Sequence, residues 1–386
     1  MDRSDAFRAL RCTATGEEQP PDPTRIGRSD VGAPLDPVYD YDEVDWDLST
    51  LADAHSMWDF SALLPFASGV NAAEGGTPLV DAPALADELG IASLVIKDES
   101  RNPTGTALDR GLSLAVTAAA AADADLVAHA SPGNSGQSGA AYASRAGIRS
   151  YAFVPSRAPF PNKAMTNVHG GEMRVAGGRY PDALDALHPE LQSDWVTLQE
   201  FDSPVRHEGY KTIAYEIVGA RGSPDAVFVP AGTGEVVYGL VKGFEDLREL
   251  GLVEDLPRVI AAQPSGCAPI AAAFESGSAV EAWDHPDTIV GELEIPDPAG
   301  GDLAVEAVSE TGGDVVTVDD DAILASAVAS AQTAAIEVGA AGGAALAAAD
   351  TLSEELDDDA SVVVVNTESG VKTADVLRSH LMGQGI

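Results

Sequence analysis

SLVIKDESRNPTGTALDRG, residues 93–111, carries a strand, a turn and a helix start in one short run. Its first seven residues carry the apolar, partly β-branched run Leu94–Ile96 and end in a polar turn, which predicts a strand over 93–99. Residues 99–106, ESRNPTGT, are polar and hold glycine and proline, which predicts a turn. A helical pattern begins at Arg110.

The same unit recurs on either side. DLVAHAS (125–131) predicts a strand, followed by PGNSG and an alanine-rich helix through Arg145. IRSYAFVP (148–155) predicts another strand. PDAVFVP (224–230) runs into AGTGE and a helix through Arg248. RVIAAQP (258–264) and SVVVVNT (361–367) read as further buried strands. Continuous apolar strands alternating with helices of 10–15 residues imply parallel βαβ units. The fold class is therefore α/β, with doubly wound parallel sheets. Residues 11–40 are rich in Gly, Pro and Asp, lack periodicity, and predict an irregular N-terminal extension; the character changes near Trp58.

In such sheets ligands bind where strand ends meet helix starts. The turns at 99–106, 130–136 and 230–235 sit at such points. Each offers small residues and backbone N–H groups before a helix, which suits a phosphate or carboxylate. One such turn alone is more often plain chain reversal. Three in one doubly wound pattern point to a ligand cleft.

Composition narrows the partners. The chain has 386 residues, enough for two or three domains, and 45% apolar content, enough for large cores. It carries 62 acidic and 22 basic residues, a formal net charge of −40, and only five of the basic residues are lysine. That surface repels phosphate backbones and anionic lipid, so neither nucleic acid nor a membrane is an expected partner. Acid excess with scarce lysine is of the haloarchaeal type and suits high salt, where screening mutes self-repulsion. Cys12 and Cys267 form no disulfide framework, which fits a reducing, cytoplasmic setting. The N-terminal residues lack a signal-peptide core, and the alanine-rich runs are too short or interrupted to cross a bilayer. The seven histidines lack metal spacing and read as surface or partly buried residues.

Eight segments, in order, carry a resemblance. They are MWDFSALLP (57–65), GGTPLV (75–80), KDESRNPTGTALDRG (97–111), ASPGNSG (130–136), HEGYKTIAYEI (207–217), VPAGTGEVVYGLVKGF (229–244), QPSGCAPI (263–270) and NTESGVKTAD (366–375). Over about residues 8–375 the chain resembles threonine synthase and its relatives among the fold type II, pyridoxal-phosphate-dependent enzymes. The resemblance implies a large domain from 57–109 plus 216–386, a small domain from 110–215, and an extension at 1–56 that is a degenerate zinc ribbon. It implies a homodimer or a heterodimer with a paralogue.

In that family a lysine amine condenses with the cofactor aldehyde, and the pyridine ring stabilises the carbanion left by α-proton loss. Carried over by position, Asn134 would bond the cofactor's ring oxygen. Gly232, Thr233 and Gly234 would hold its phosphate, and Thr367 would face its pyridine nitrogen. Ser131, Gly133 and Ser135 would bind substrate. The family lysine falls on Leu108, while Asn102, Pro103, Thr104, Gly105, Asp109, Arg110 and Gly111 keep their places, so the match cannot be slid. No catalytic residue is therefore assigned.

Other departures accompany this one. Ala107 replaces the family's Phe, Pro132 removes an N–H from the Ser-Ser-Gly-Asn loop, and the family's Glu-Pro falls on Gly339 and Ala340. Of the cysteine pairs of the zinc ribbon only Cys12 remains, with Thr15, Arg28 and Val31 elsewhere, so no zinc is expected. Glu235 would repel a phosphate if it pointed inward. Among the five lysines Lys97 is the nearest substitute in sequence, although a strand-end, ion-paired role fits it better. The resemblance then implies a catalytically impaired paralogue that binds pyridoxal phosphate or an amino-acid-like ligand noncovalently, or acts through a partner. The alternatives are an active threonine synthase or related lyase with its amine supplied elsewhere, and a structural or regulatory subunit with an empty pocket.

Overall fold

The computed structural model describes residues 1–192 and 194–383. Its first strands are β1 (Phe7–Cys12), β2 (Glu18–Gln19) and β3 (Leu35–Tyr39), followed by β4 (Leu79–Asp81), β5 (Ser93–Asp98), β6 (Leu126–Ala130) and β7 (Arg149–Val154). Then come β8 (Glu172–Val175), β9 (Val196–Thr197), β10 (Ala226–Pro230), β11 (Arg258–Pro264), β12 (Asp314–Val318) and β13 (Ser361–Asn366). Among the described residues they form three sheets, ordered β2-β1-β3, β12-β11-β10-β13-β5-β4 and β8-β7-β6-β9.

The six-stranded sheet is parallel except at its edge, where β4 runs antiparallel to β5. Its central strands are buried on both faces, as the continuous apolar run AVFVP requires. One face packs against the helices Glu208–Arg221, Glu235–Glu249 and Gly301–Glu310. The other packs against Pro83–Leu89, Asp320–Thr333 and Ala340–Thr351. In the last of these, alanine and glycine permit close approach: a Cβ at Gly343 would lie 2.5 Å from the Ile323 carbonyl oxygen. The four-stranded sheet is parallel throughout. The helices Leu108–Ala121 and Asn134–Ala146 cover one face, and Tyr180–Leu187 covers the other. The boundaries 109/110 and 215/216 fall inside the helices Leu108–Ala121 and Glu208–Arg221.

The doubly wound expectation holds, and the strand limits agree to within one or two residues. Residues 11–40 differ from the irregular segment predicted. They complete a three-stranded antiparallel sheet, with Cys12 opposite Leu35 and Arg11 opposite Glu18. FRALRC buries Phe7, Ala9, Leu10 and Cys12. Its main partner lies more than twenty residues away, so no local pattern reveals it. The Cys12 thiol donates to Ser29 Oγ at 3.2 Å.

This extension is fastened by buried charge. Lys242 Nζ lies 2.6 Å from both Asp36 and Glu208, Lys211 lies 2.8 Å from Glu208 and 2.9 Å from Asp246, and Tyr39 donates to Glu208 at 2.5 Å. His207 Nε2 lies 2.8 Å from Asp36. Asp36, His207 and Glu208 converge closely enough for a cation, and the Lys242 ammonium already sits against both carboxylates. Against the expectation of surface or partly buried histidines, His207 and His129 are both almost fully buried. No helix among the described residues is long and apolar enough to cross a membrane.

Candidate functional site

The loops after β5, β6, β10 and β13 meet in one cleft between the two parallel sheets. Its free volume is about 80 Å³, and its walls include Leu108, Asn134, Ser135, Gly232, Thr233, Gly234 and Thr367. The positions read from sequence as cofactor-facing are thus brought together. Ser131 and Gly133 lie behind the wall. A larger cavity of about 440 Å³ opens between the N-terminal sheet and the helices Glu235–Glu249 and Gly301–Glu310, but it shares none of these loops.

Leu108 is the first residue of its helix, half-buried, and faces the cleft. The turn before it is pinned by Asp109, whose carboxylate accepts from Thr104 N and Oγ1 at 2.6 Å each and from Ser138 at 2.5 Å. Burial raises the Asp109 carboxyl to about 6. Arg110 does not pair with Asp109. It holds Glu99 at 2.7 Å and Glu216 at 2.6 Å. Lys97 joins that network, 2.5 Å from Glu216 and 2.6 Å from the Thr77 carbonyl, and is fully buried. As a substitute for the family lysine it is ruled out by these bonds: its amine is an internal partner of Glu216, away from the cleft.

On the opposite wall, Ser131 Oγ accepts from the N–H groups of Gly133 at 3.0 Å and Gly136 at 2.7 Å and from Ser135 Oγ at 2.8 Å. The loop assigned to substrate therefore closes on itself. Asn134 opens its helix and is bonded at both ends of its amide. Nδ2 donates to Glu368 at 2.5 Å, and Oδ1 accepts from Lys372 at 2.7 Å and Asn162 at 2.9 Å. Burial lowers the Lys372 ammonium below its usual range and raises Glu368 above the carboxylate range. Glu368 also accepts from Ala341 N at 3.3 Å. A Cβ at Gly339 would overlap Glu368 Cγ. The missing side chain at 339 and the carboxylate at 368 are thus sterically matched.

The third wall is the turn between β10 and the helix Glu235–Glu249. Gly234 is its N-cap, at φ +85°, with no side-chain cap bond. A Cβ there would lie 2.5 Å from the Gly300 carbonyl oxygen, so only glycine fits. Glu235 follows, 1% exposed, and it does point into the cleft. Arg206 Nε lies 3.2 Å from its Oε2, and Tyr210 donates to the same oxygen at 3.2 Å. Among the described residues Glu235 Oε1 has no hydrogen-bond partner, and neither has the shielded Oε1 of Glu292 across the cleft. Burial raises Glu235 to about 7, against the pull of Arg206. Burial also puts Glu292 well above the carboxylate range, and Glu368 adds repulsion. Sequence reasoning singled out Glu235 but not Glu200, Glu292, Glu368 or Arg206, because none of those four lay at a carried-over position.

Comparison with known proteins places these walls. The family described as pyridoxal-phosphate dependent enzyme matches residues 70–368. Threonine synthase of Methanosarcina acetivorans is 32% identical over 323 residues, covering 82% of this chain and 80% of its own. Threonine synthase of Mycobacterium tuberculosis is 36% identical over 257 residues, covering 66% and 69%. Among solved structures, a point mutant of O-ureido-L-serine synthase with O-ureido-L-serine bound superposes with a TM-score of 0.68 at 22% identity, over 83% of this chain and 96% of that one. Threonine deaminase isoform 2 of Solanum lycopersicum gives 0.65 at 20%, over 78% and 86%. These structural likenesses establish the fold.

The family match makes pyridoxal phosphate the group to set against the cleft. The fit is incomplete. Gly232–Gly234 keep a glycine turn at a helix start, and Asn134 and Thr367 stand in the same cavity. No amine stands at Leu108, the Asn134 amide is bonded at both ends, and two buried carboxyl oxygens that have no partner among the described residues flank the turn where a phosphate would lie.

Proposed function

This chain belongs to the pyridoxal-phosphate dependent enzyme family, as a threonine synthase-like protein of fold type II, and from that premise we propose that it is a catalytically impaired member. In this reading it binds pyridoxal phosphate or an amino-acid-like ligand noncovalently. The observation that carries the proposal is Leu108. An isobutyl group occupies the cleft position of the reacting amine, and a hydrocarbon can neither condense with an aldehyde nor move a proton. The preserved gathering of Asn134, Gly232–Gly234 and Thr367 supports a retained ligand role. The Ser131 loop, with Gly133 and Ser135, would then shape the cleft wall. We further propose that the chain works as a homodimer or beside an active paralogue, in the cytoplasm at high salt.

The test is made on purified protein in molar salt with added pyridoxal phosphate and, separately, with an amino-acid-like amine. Visible absorbance is recorded, the sample is reduced with borohydride, and the intact protein is weighed. The expected result is no covalent adduct and saturable binding of a small ligand. One adduct per chain would overturn the impaired reading. No binding at all would point to a regulatory subunit without a ligand.

One observation favours a second reading, in which the amine comes from elsewhere and the enzyme works. Lys372 bonds Asn134 in the cleft wall, is buried, and has no carboxylate within ion-pair distance among the described residues. Peptide mapping of any adduct to Lys372, and its loss in Lys372→Arg, would establish it.

A further inference from the structure

We infer that the cleft receives a protonated primary amine at the turn between β10 and the helix Glu235–Glu249, where the fold's usual occupant would place a phosphate. The inference rests on the ligand-binding reading above and names the ligand's chemical class.

The argument begins with a charge count. Glu200, Glu235 and Glu292 face the cleft, and Arg206 is the cation among them. Arg206 is already divided. One guanidinium nitrogen donates to the Leu198 carbonyl at 2.6 Å, another to Glu200 at 3.1 Å, and the third, Nε, lies 3.2 Å from Glu235 without a hydrogen bond among the described residues. Glu200, His207 and Tyr210 also act on Glu235, and Glu368, Lys372 and Asp375 act on Glu292. Among the described residues one carboxyl oxygen of Glu235 and one of Glu292 remain without partners. A buried carboxyl oxygen left unpaired is costly, and a donor carrying positive charge would satisfy both oxygens and favour their ionised forms. A phosphate brings the opposite: acceptors only, and like charge at short range.

Two further observations select an amine. The three carboxylates do not form a close metal-holding group. Among the described residues only Asp36, His207 and Glu208 do, and Lys242 sits against them. An ammonium, by contrast, spreads three donors over well-separated oxygens. The loop that could bind a carboxylate is also spent. Ser131 Oγ is held by Gly133, Ser135 and Gly136, and Pro132 offers no N–H. The end of the ligand that this cleft recognises is therefore its amine.

The experiment is a thermal melt of the full chain at about pH 8, in molar tetramethylammonium chloride, whose cation is too bulky to compete. The probes are propylamine, 1-propanol as its neutral isostere, inorganic phosphate and pyridoxal phosphate. Propylamine at saturating concentration is expected to raise Tm by about 2–4 °C while the other three leave it unchanged. The rise is expected to vanish in Glu235→Gln with Glu292→Gln. Should that variant not fold, the wild type still decides: the propylamine shift must shrink by about pH 6 as Glu235 takes up its proton near 7. Stabilisation by phosphate or pyridoxal phosphate without propylamine would overturn the inference and leave the ligand-binding reading standing. So would an equal effect of 1-propanol. No shift with any probe would overturn both.

Discussion

Two kinds of buried charge cluster in this protein look alike in composition and differ in satisfaction. Between the N-terminal sheet and the helices beneath it, Asp36, Glu208 and Asp246 meet Lys211 and Lys242 at 2.6–2.9 Å. A second closed set joins Glu99 and Glu216 to Arg110 and Lys97. In the cleft, Glu200 and Glu235 share Arg206, Glu292 has only the more distant Lys372, and among the described residues oxygens are left over. The protein can match buried charge, since it does so twice nearby. An unmatched set in a cavity is then better read as a binding surface than as loose packing, because only there can something from outside complete it.

The contrast breaks most visibly if the matched cluster is disturbed. Glu208 alone engages Lys211, Lys242, His207 and Tyr39. Glu208→Ala is expected to destabilise the chain by about 3 kcal/mol, because it takes one of two carboxylate partners from each of two buried ammonium groups. The measurement is the denaturant midpoint in high salt. An effect below about 1 kcal/mol would mean that the cluster is not closed in solution.

Proton linkage gives the same contrast with opposite signs. Burial would raise Glu216 and Glu208, yet the neighbouring cations overcome it and hold both below the carboxylate range. Their folded values lie under the unfolded value, so their stabilisation is present above about pH 4.5 and is lost as pH falls. Glu235 lies on the other side, raised to about 7. The folded state keeps its proton longer, so stability declines as pH rises from about 4.5 to 7, on the order of 3 kcal/mol. Glu235→Gln is expected to abolish that decline and to be the more stable protein at about pH 8. Unfolding free energies across the pH range check this, and parallel curves for the two proteins would refute it.

The cleft can be pushed back toward the family's chemistry, which sharpens the comparison at its centre. Leu108→Lys restores the amine but leaves Glu235 beside the turn. Adding Glu235→Gly is expected to increase borohydride-trapped pyridoxal phosphate by about tenfold over Leu108→Lys alone, the equivalent of about 1.4 kcal/mol of removed repulsion. Intact mass reads the yield. Equal yields would show that the missing amine was the whole defect.

What the sequence made legible follows the same physics. AVFVP at 226–230 and SVVVVN at 361–366 announce buried parallel strands because both faces are covered, and the small-residue turns after them announce a cleft. Leu108 was legible because its neighbours fix the frame. The N-terminal sheet was not, since β1 and β3 pair across a long polar loop. An ion-paired Lys97 was legible, but not its partner, because Glu216 lies more than a hundred residues onward. Glu200 and Glu292 belong to segments without a motif, so their convergence on Glu235 exists only in three dimensions. Charge matching is a property of distant pairs, and a single sequence holds the charges without naming their partners.

The smallest expected effect tests whether burial, rather than pairing as such, separates the two clusters. Arg221 and Asp81 also pair, at 2.9 Å, but their side chains are 44% and 65% exposed. Water already solvates both, so bringing them together gains little and holds two side chains still. Arg221→Ala is expected to change stability by less than about 0.5 kcal/mol, and by nothing measurable in molar salt, where screening removes the attraction. A loss comparable to that of Glu208→Ala would mean that any ion pair on this acidic surface stabilises the fold. The unmatched carboxylates of the cleft would then lose their special meaning.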